Sequence, residues 1–217
     1  MKEALRGFFH LRGRSKQSFR GFSLGLLKAQ LVYFTDMEQI THKGRIIEVV
    51  QKEVEQNGNT KTFEFARRSP GTRLIIPKAT SILLTKEFRH ELNGYDYRLP
   101  GGKVYDTLDE YNAALHSGVS IDKAAEDAAT KEAREEVGIQ VKDISFLHKS
   151  ICGATVVWDL FYFVVDSFEE GEQELEEGED ITFEFVDRDR VRQMCLDGSI
   201  SEERSALVLL RYLEGQF

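Results

Sequence analysis

The sequence predicts an α/β fold, arranged as an α/β/α sandwich in which a mixed sheet carries helices on its faces. Short segments rich in Val, Ile and Phe indicate strands, while other segments repeat apolar residues at helical spacing. The chain has 217 residues, of which 41% are hydrophobic, so it can bury a substantial core. This length fits one large domain, with or without a small appendage.

The first strands form a predicted β-hairpin. Residues 45–54 are rich in Ile and Val, residues 61–66 alternate between polar and apolar side chains, and an Asn-Gly-Asn turn signal lies between them. We assign residues 31–75 to an N-terminal strand and hairpin region and residues 76–217 to the main domain.

Further strands and helices follow from the same patterns. Strands are predicted over residues 72–77, 81–85, 141–151, 155–165 and 181–186, and helices over residues 191–196 and 202–213. The last helix is preceded by Ser199 and Glu202 at capping-box spacing, and Leu207, Leu210 and Leu213 form its predicted apolar stripe.

The most informative segment is an acidic helix end, residues 131–139, with the sequence Lys-Glu-Ala-Arg-Glu-Glu-Val-Gly-Ile. Helical spacing places Glu132, Glu135 and Glu136 on one face near the C-terminal turn. Each carboxylate there costs about 0.3–1 kcal/mol against the helix dipole, and a divalent cation would reverse that penalty. Hard oxygen ligands of this kind suit Mg²⁺ or Mn²⁺. The alternative is a solvated helix of mixed charge, because basic residues are interspersed.

Residues 131–139, together with Gly102, resemble the signature of the Nudix hydrolases. The matching positions are Glu132, Ala133, Glu135, Glu136, Gly138 and Ile139. Lys131 and Lys123 stand where the family has an arginine and a glutamate, which in the family support each other and orient the metal-binding carboxylates. Asp122 or Glu126 could neutralise Lys131 instead. Twenty residues separate Gly102 from Lys123, a longer spacer than the family has.

The extra residues form an inserted segment, about residues 105–121. Leu108, Tyr111 and Leu115 recur at helical spacing, and Gly118 is a plausible helix end. We expect a short helix on the rim of the site. It is either a surface insertion, which we favour slightly, or a lid that touches the substrate.

From about residue 40 onward, the order of elements is similar to that of the ADP-ribose pyrophosphatase-like branch, the nucleoside diphosphate sugar hydrolases. The sequences Lys-Glu-Phe-Arg at 86–89 and Leu-Pro-Gly-Gly at 99–102 belong to this resemblance. It implies an enzyme that uses Mg²⁺, for which Mn²⁺ can substitute, to split a nucleoside diphosphate linked to a sugar into a nucleoside monophosphate and a phosphorylated product. It also implies a homodimer that pairs through the N-terminal strands.

The resemblance implies a set of metal ligands made of Gly101, through its carbonyl, and Glu132, Glu135, Glu136 and Glu179. Within the acidic run 169–180, Glu179 resembles the additional ligand and Glu177 the water-activating base. Glu135, Glu177 and Glu179 are therefore the candidate catalytic residues. Most acidic runs are merely solvated, and that alternative applies here.

Two arginines are candidates for substrate binding, because a guanidinium group can grip phosphate with two hydrogen bonds. Arg89 can donate to the substrate or instead pair with Glu87 or Glu91. Arg98 lies close to the glycine pair, at a position where the branch usually has an acidic residue. The resemblance therefore does not specify which nucleoside sugar is the substrate.

Two other functions remain open. The first is hydrolysis of a nucleoside triphosphate or a dinucleoside polyphosphate. The second is a catalytically weakened Nudix-fold module that binds nucleotides, which Lys123, Lys131 and the lengthened loop favour. The retained glutamates argue against the second alternative.

Composition narrows the classes of partner. A net charge of -8 argues against nucleic-acid binding, and the apolar runs are too short for a membrane span. Cys152 and Cys195 are far apart and lack metal-ligand spacing, which fits a reducing compartment, and we expect the cytoplasm. Cys152 follows an apolar strand pattern that predicts a core position. Residues 1–30 are basic and poor in acids, as in a transit peptide, a nucleic-acid arm or a membrane-surface helix, and the alternative that we prefer is an arm that packs on the body or on a second subunit.

Overall fold

The computed structural model describes residues 33–89 and 92–217. The basic extension predicted over residues 1–30 lies outside them, as does Glu91. The strands are β1 (Tyr33–Lys43), β2 (Glu48–Gln56), β3 (Asn59–Arg67), β4 (Gly71–Ile75), β5 (Pro77–Lys78), β6 (Ser81–Arg89), β7 (Gly94–Arg98), β8 (Ile139–Ser150), β9 (Val156–Val157), β10 (Leu160–Glu170) and β11 (Ile181–Asp187). The helices are α1 (Leu108–Ser117), α2 (Ile121–Val137), α3 (Arg188–Asp197) and α4 (Glu203–Leu213).

The predicted hairpin is formed by β2 and β3, which pair antiparallel from Glu48 opposite Arg67 to Gln56 opposite Asn59. Its turn places Asn57 at φ 58° and Gly58 at φ 74°. Two successive positive φ angles favour a turn whose twist matches that of the strands. β1 adds to the free edge of β2, and the short β9 runs parallel to β3, which completes the N-terminal sheet.

Two further sheets build the main domain. β10 is central to one of them, parallel to β4 and antiparallel to β8, and β6 is central to the other, flanked by β11, β5 and β7. One face packs the alanines of α2 against Leu74, Phe161 and Phe163. The other face packs Tyr162 and Leu84 against α3 and α4. The α/β class with helices on both faces is confirmed, although the strands divide into three sheets instead of one.

Several boundaries differ from the predictions. The strand predicted over residues 155–165 divides into the two-residue β9 and the long β10. Leu207 is 59% exposed, and Val208 and Leu209 are buried in its place, so the predicted apolar stripe of α4 is displaced. Cys152 is exposed, so its predicted core position is wrong. Among the described residues, no helix has both the length and the apolar character to cross a lipid bilayer.

The inserted segment forms α1, which begins at a capping box between Thr107 and Glu110. Leu115 of the predicted stripe is exposed. The helix docks on the N-terminal sheet, where Asn112 Nδ2 donates to Glu48 Oε2 at 3.1 Å. An ion pair between Lys43 and Asp109 adds a second connection.

Candidate active site

A cavity of about 330 Å³ opens where β6, the loop 99–103, the C-terminal half of α2 and the acidic loop 171–180 meet. Its wall includes all but one of the predicted site residues: Arg89, Arg98, Gly101, Glu132, Glu135, Glu136 and Glu179. The exception is Glu177, which does not line the cavity, whereas Glu176 of the same loop does. Of the inserted segment, Asp106 reaches the wall and no residue of α1 does, which favours the surface-insertion interpretation.

Gly101 and Gly102 let the loop 99–103 approach Thr72 on one side and Glu132 on the other. Gly101 has φ +136°, and a Cβ there would lie 2.3 Å from the carbonyl oxygen of Thr72. A Cβ on Gly102 would lie 2.0 Å from Glu132 Oε1. The Gly101 amide donates to Glu136 Oε2 at 2.7 Å. The glycines therefore let the loop fit between β4 and the carboxylates of α2.

Two of these carboxylates have strongly raised pKa values. Burial raises the pKa of Glu132 to about 7, opposed by Lys131 and reinforced by Glu135 and Glu179. Burial also raises the pKa of Glu136 to about 8, with a further contribution from Glu132. A cation among these oxygens would favour their ionised form.

The donor set fits a hard divalent cation, because it consists of carboxylate oxygens beside a backbone carbonyl. In this conformation, the described His, Cys, Asp and Glu side chains form no group of three that could hold a metal ion. Glu135 instead lies 3.0 Å from Lys131 Nζ. The alternative of Lys131 neutralised by Glu126 is wrong, since Glu126 pairs with Lys123 at 2.7 Å. Mg²⁺ usually keeps several water ligands, which an open set of this kind permits.

Both predicted arginines lie in the cavity wall and also have carboxylate partners. Arg89 Nη1 lies 2.7 Å from Glu87 Oε1, so the structural ion pair considered for this residue forms. Arg98 Nε lies 2.7 Å from Asp96 Oδ2. Asp96 is buried and also accepts from the amide and hydroxyl of Ser201.

Comparison with known proteins decides the family. The model of the NUDIX domain matches residues 67–205, which is more than half of the chain. The chain belongs to the Nudix family. Among solved structures, a crystal structure of an ADP compounds hydrolase is similar, with a TM-score of 0.61 and 19% identity over 85% of this chain and 95% of that chain. None of the curated proteins matches. The predicted Nudix membership is confirmed, as is the enzyme class, a hydrolase acting on phosphorus-containing acid anhydrides.

The cavity residues that reasoning from the Nudix signature did not predict include Arg68, Arg73 and Trp158. The guanidinium carbon of Arg68 lies 4.3 Å from the centroid of the Trp158 ring. Arg204 lies at the same distance from that ring and donates to the Trp158 carbonyl at 2.8 Å. No local spacing relates these positions in the sequence, so no pattern could have grouped them.

Arg73 projects from β4 and pairs with Glu202, the residue that precedes α4. Its Nε lies 2.9 Å from Glu202 Oε2, and its Nη2 lies 3.2 Å from Oε1. The capping box predicted for Glu202 and Ser199 is wrong, because α4 has no side-chain cap and the Ser199 hydroxyl donates to Asp197. Glu202 instead pairs with Arg73, which is 129 positions away in the sequence.

This pair predicts a specific sensitivity to acid. Burial alone would raise the pKa of Glu202, but the Arg73 guanidinium outweighs it, and the pKa is lowered. A lowered folded-state pKa gives stability that is present above about pH 4.5 and is lost as the pH falls through the folded value. We expect urea unfolding of the wild type to lose more free energy between about pH 6 and about pH 3 than that of Glu202→Gln. Equal losses would contradict this expectation.

Proposed function

We propose that this Nudix protein is a Mg²⁺-dependent pyrophosphohydrolase. It cleaves the diphosphate bond of an ADP-ribose-like substrate, a nucleoside diphosphate linked to a sugar or similar moiety, and gives a nucleoside monophosphate and a phosphorylated product. The observation that carries the proposal is the presence of six glutamates and four arginines in one cavity wall. The similarity of the fold to an ADP compounds hydrolase supports the substrate class.

In this proposal, the Gly101 carbonyl and the carboxylates of Glu132, Glu135, Glu136 and Glu179 hold Mg²⁺, which Mn²⁺ can replace. A bound cation offsets the negative charge of the diphosphate, which otherwise repels the attacking water. The raised pKa values of Glu132 and Glu136 support this assignment, because burial, reinforced by neighbouring glutamates, disfavours their charged forms, and a bound cation would offset that cost.

A carboxylate of the acidic loop takes the proton of the attacking water. The family resemblance favours Glu177 as this base. Glu176 is a second candidate, because it lines the cavity in this structure and its amide donates to Glu179 Oε2 at 3.0 Å. Comparing Glu176→Gln with Glu177→Gln separates the two.

The arginines bind the phosphate oxygens. Arg89 and Arg98 each share their charge with a neighbouring carboxylate. Arg68 differs, because no carboxylate within residues 33–89 and 92–217 forms an ion pair with it. Burial lowers the pKa of Arg68, as do the charges of Arg73 and Arg204. An incoming anion would relieve that repulsion, so we add Arg68 to the residues that bind substrate.

We therefore expect Arg68→Met to raise KM for the nucleotide by about 10- to 100-fold, because a charge-assisted hydrogen bond is worth about 1.5–3 kcal/mol. Methionine keeps an apolar stem against Trp158. The matched control is Arg204→Met, which alters the same aromatic contact at a residue outside the cavity wall. Steady-state kinetics, with circular dichroism as a check on folding, provide the measurement. An unchanged KM in Arg68→Met would exclude the assignment.

The reaction is tested by incubating the protein with Mg²⁺ and a set of nucleotide sugars, triphosphates and dinucleoside polyphosphates, with the products identified by mass. Labelled water shows which phosphorus is attacked. Pyrophosphate released from triphosphates, with ADP-ribose left intact, would indicate the triphosphatase alternative. Tight nucleotide binding without cleavage would indicate a binding module.

We also propose a homodimer formed through the N-terminal sheet. Its exposed apolar side chains, Ile40 and Phe63 among them, support an interface there. Light scattering coupled to size exclusion tests this. The enzyme is proposed to act in the cytoplasm.

A further inference from the structure

Glu136 is held in the cavity by one peptide group. Its described hydrogen bond comes from the Gly101 amide at 2.7 Å, and no residue of α2 forms an ion pair with it within the described chain. Lys123, at the position of the family's supporting glutamate, pairs with Glu126 and Asp127 on the exposed side of α2. Lys131 pairs with Glu135. The orientation of Glu136 therefore depends on what fixes Gly101.

Arg73 donates to the carbonyl of Gly101, in a loop that β4 also holds through hydrogen bonds from Leu74 N to Pro100 O and from Thr72 N to Gly102 O, each 2.9 Å. Arg73 Nη1 lies 3.3 Å from the Gly101 carbonyl oxygen and 2.7 Å from the Thr72 carbonyl oxygen. A carbonyl oxygen has two lone pairs, so the Gly101 oxygen can accept this hydrogen bond and still serve a cation. Arg73 is only 7% exposed, and its neighbours on β4 are core residues.

Glu202 is itself fixed by its surroundings. The Ser205 hydroxyl lies 2.6 Å from Glu202 Oε2, and the Tyr162 hydroxyl lies 3.2 Å from Ser205 Oγ. Taken with the two contacts of the Arg73 guanidinium, these bonds leave the carboxylate little freedom. Hydrogen bonds thus connect Glu202, at the start of α4, to Arg73 and Arg73 to the carbonyl of Gly101, and the amide of Gly101 donates to Glu136.

A buried ion pair costs desolvation that an apolar pair of similar volume would avoid, so burial of the pair is by itself weak evidence for a stabilising role. We propose that Arg73 and Glu202 are positioning residues: their ion pair, together with the backbone hydrogen bonds of β4, holds Gly101 in place, and thereby sets how well the Glu136 carboxylate binds a divalent cation. The proposal rests on the function proposed above. It assigns to Arg73 and Glu202 the supporting role that Lys123 and Lys131 do not fill.

The test is Mn²⁺ binding, followed by electron paramagnetic resonance, in the wild type, in Arg73→Lys and in Glu202→Gln. Arg73→Lys keeps the charge and loses the fork of donors. Losing a residue that supports a metal ligand typically weakens metal affinity about 10- to 100-fold, and we expect Mn²⁺ dissociation constants to rise by that factor in both variants. We also expect the Mg²⁺ concentration for half-maximal activity to rise, with kcat partly recovered at high Mg²⁺.

The matched control is Arg67→Lys. Arg67 forms a comparably buried ion pair, with its Nε 2.7 Å from Glu48 Oε1, and it does not line the cavity. We expect Arg67→Lys to lower the thermal unfolding temperature to a similar extent and to leave Mn²⁺ affinity unchanged. Wild-type affinity in a folded Arg73→Lys or Glu202→Gln protein overturns the proposal, as does an equal loss in Arg67→Lys.

If Arg73→Lys fails to fold, Glu202→Gln decides the question, because glutamine keeps the shape of the side chain. Failure of the positioning role is distinguishable from failure of the proposed function. In the first case the wild type binds Mn²⁺ and the variants bind it equally well. In the second the wild type itself binds no Mn²⁺, with or without nucleotide, and both proposals fall.

Discussion

Replacing Glu136 with glutamine is expected to lower kcat by about two to four orders of magnitude while the fold persists. The side-chain carbonyl of glutamine can still accept the hydrogen bond from the Gly101 amide, so the loop keeps its support. What the variant loses is a negative charge at the proposed cation site. Because burial raises the pKa of Glu136 to about 8, the folded protein disfavours the ionised form, and a neutral side chain should not destabilise it.

Glu135→Gln is expected to behave in the same way. The measurement is steady-state turnover of ADP-ribose in the presence of Mg²⁺, with thermal unfolding to confirm that each variant is folded. Glu126→Gln is the control, because Glu126 lies on the same helix and pairs with Lys123 outside the cavity wall. Turnover close to that of the wild type in both Glu135→Gln and Glu136→Gln would remove these residues from the mechanism.

Gly101→Ala is expected to abolish measurable turnover and to lower the free energy of unfolding by about 3 kcal/mol or more. Its φ of +136° is strained for any residue with a side chain, and the new Cβ would lie 2.3 Å from the backbone oxygen of Thr72. Backbone atoms of the buried strand β4 cannot move aside as the end of a flexible side chain can. The loop would therefore shift, and the amide that holds Glu136 would shift with it.

Gly153→Ala separates the two causes of that loss. Gly153 has φ +130°, close to that of Gly101, but nothing lies within 4 Å of a Cβ built there. This control carries the cost of the backbone conformation without the collision. Urea unfolding and turnover should show a smaller destabilisation and almost normal activity for Gly153→Ala. If the two variants are equally affected, the contact with Thr72 is not the cause.

The parts of the fold that depend on neighbouring residues were predictable from the sequence. The Asn-Gly turn sets the β2–β3 hairpin, and the spacing of Glu132, Glu135 and Glu136 places them on one face of α2. The start of α4 was not predictable, because Glu202 pairs with an arginine 129 positions away. The leucines of α4 are also so closely spaced that they fit more than one helical face, so the sequence does not show which face is buried.

Only part of the candidate site was likewise predictable from the sequence. The glycine loop and the acidic helix carry motifs, whereas the acidic loop contains many glutamates whose directions depend on a turn at Gly178, with φ +94°. That turn places Glu176 and Glu179 in the cavity wall and leaves Glu177 out of it. Arg68 and Trp158 directly follow the two strands of the parallel β3–β9 pair, in which Arg67 lies opposite Val157, and a single sequence does not reveal which strands are neighbours.

The long insertion ahead of α2 also ties together two regions that a shorter spacer would leave separate. Asn112 and Asp109 connect its helix to the N-terminal sheet, while Asp106 lies in the wall of the proposed active-site cavity. The segment therefore connects the N-terminal sheet to the cavity wall. Shortening the insertion to the family's usual length would remove these contacts. The proposed dimer surface would then no longer be connected through this segment to the proposed active site.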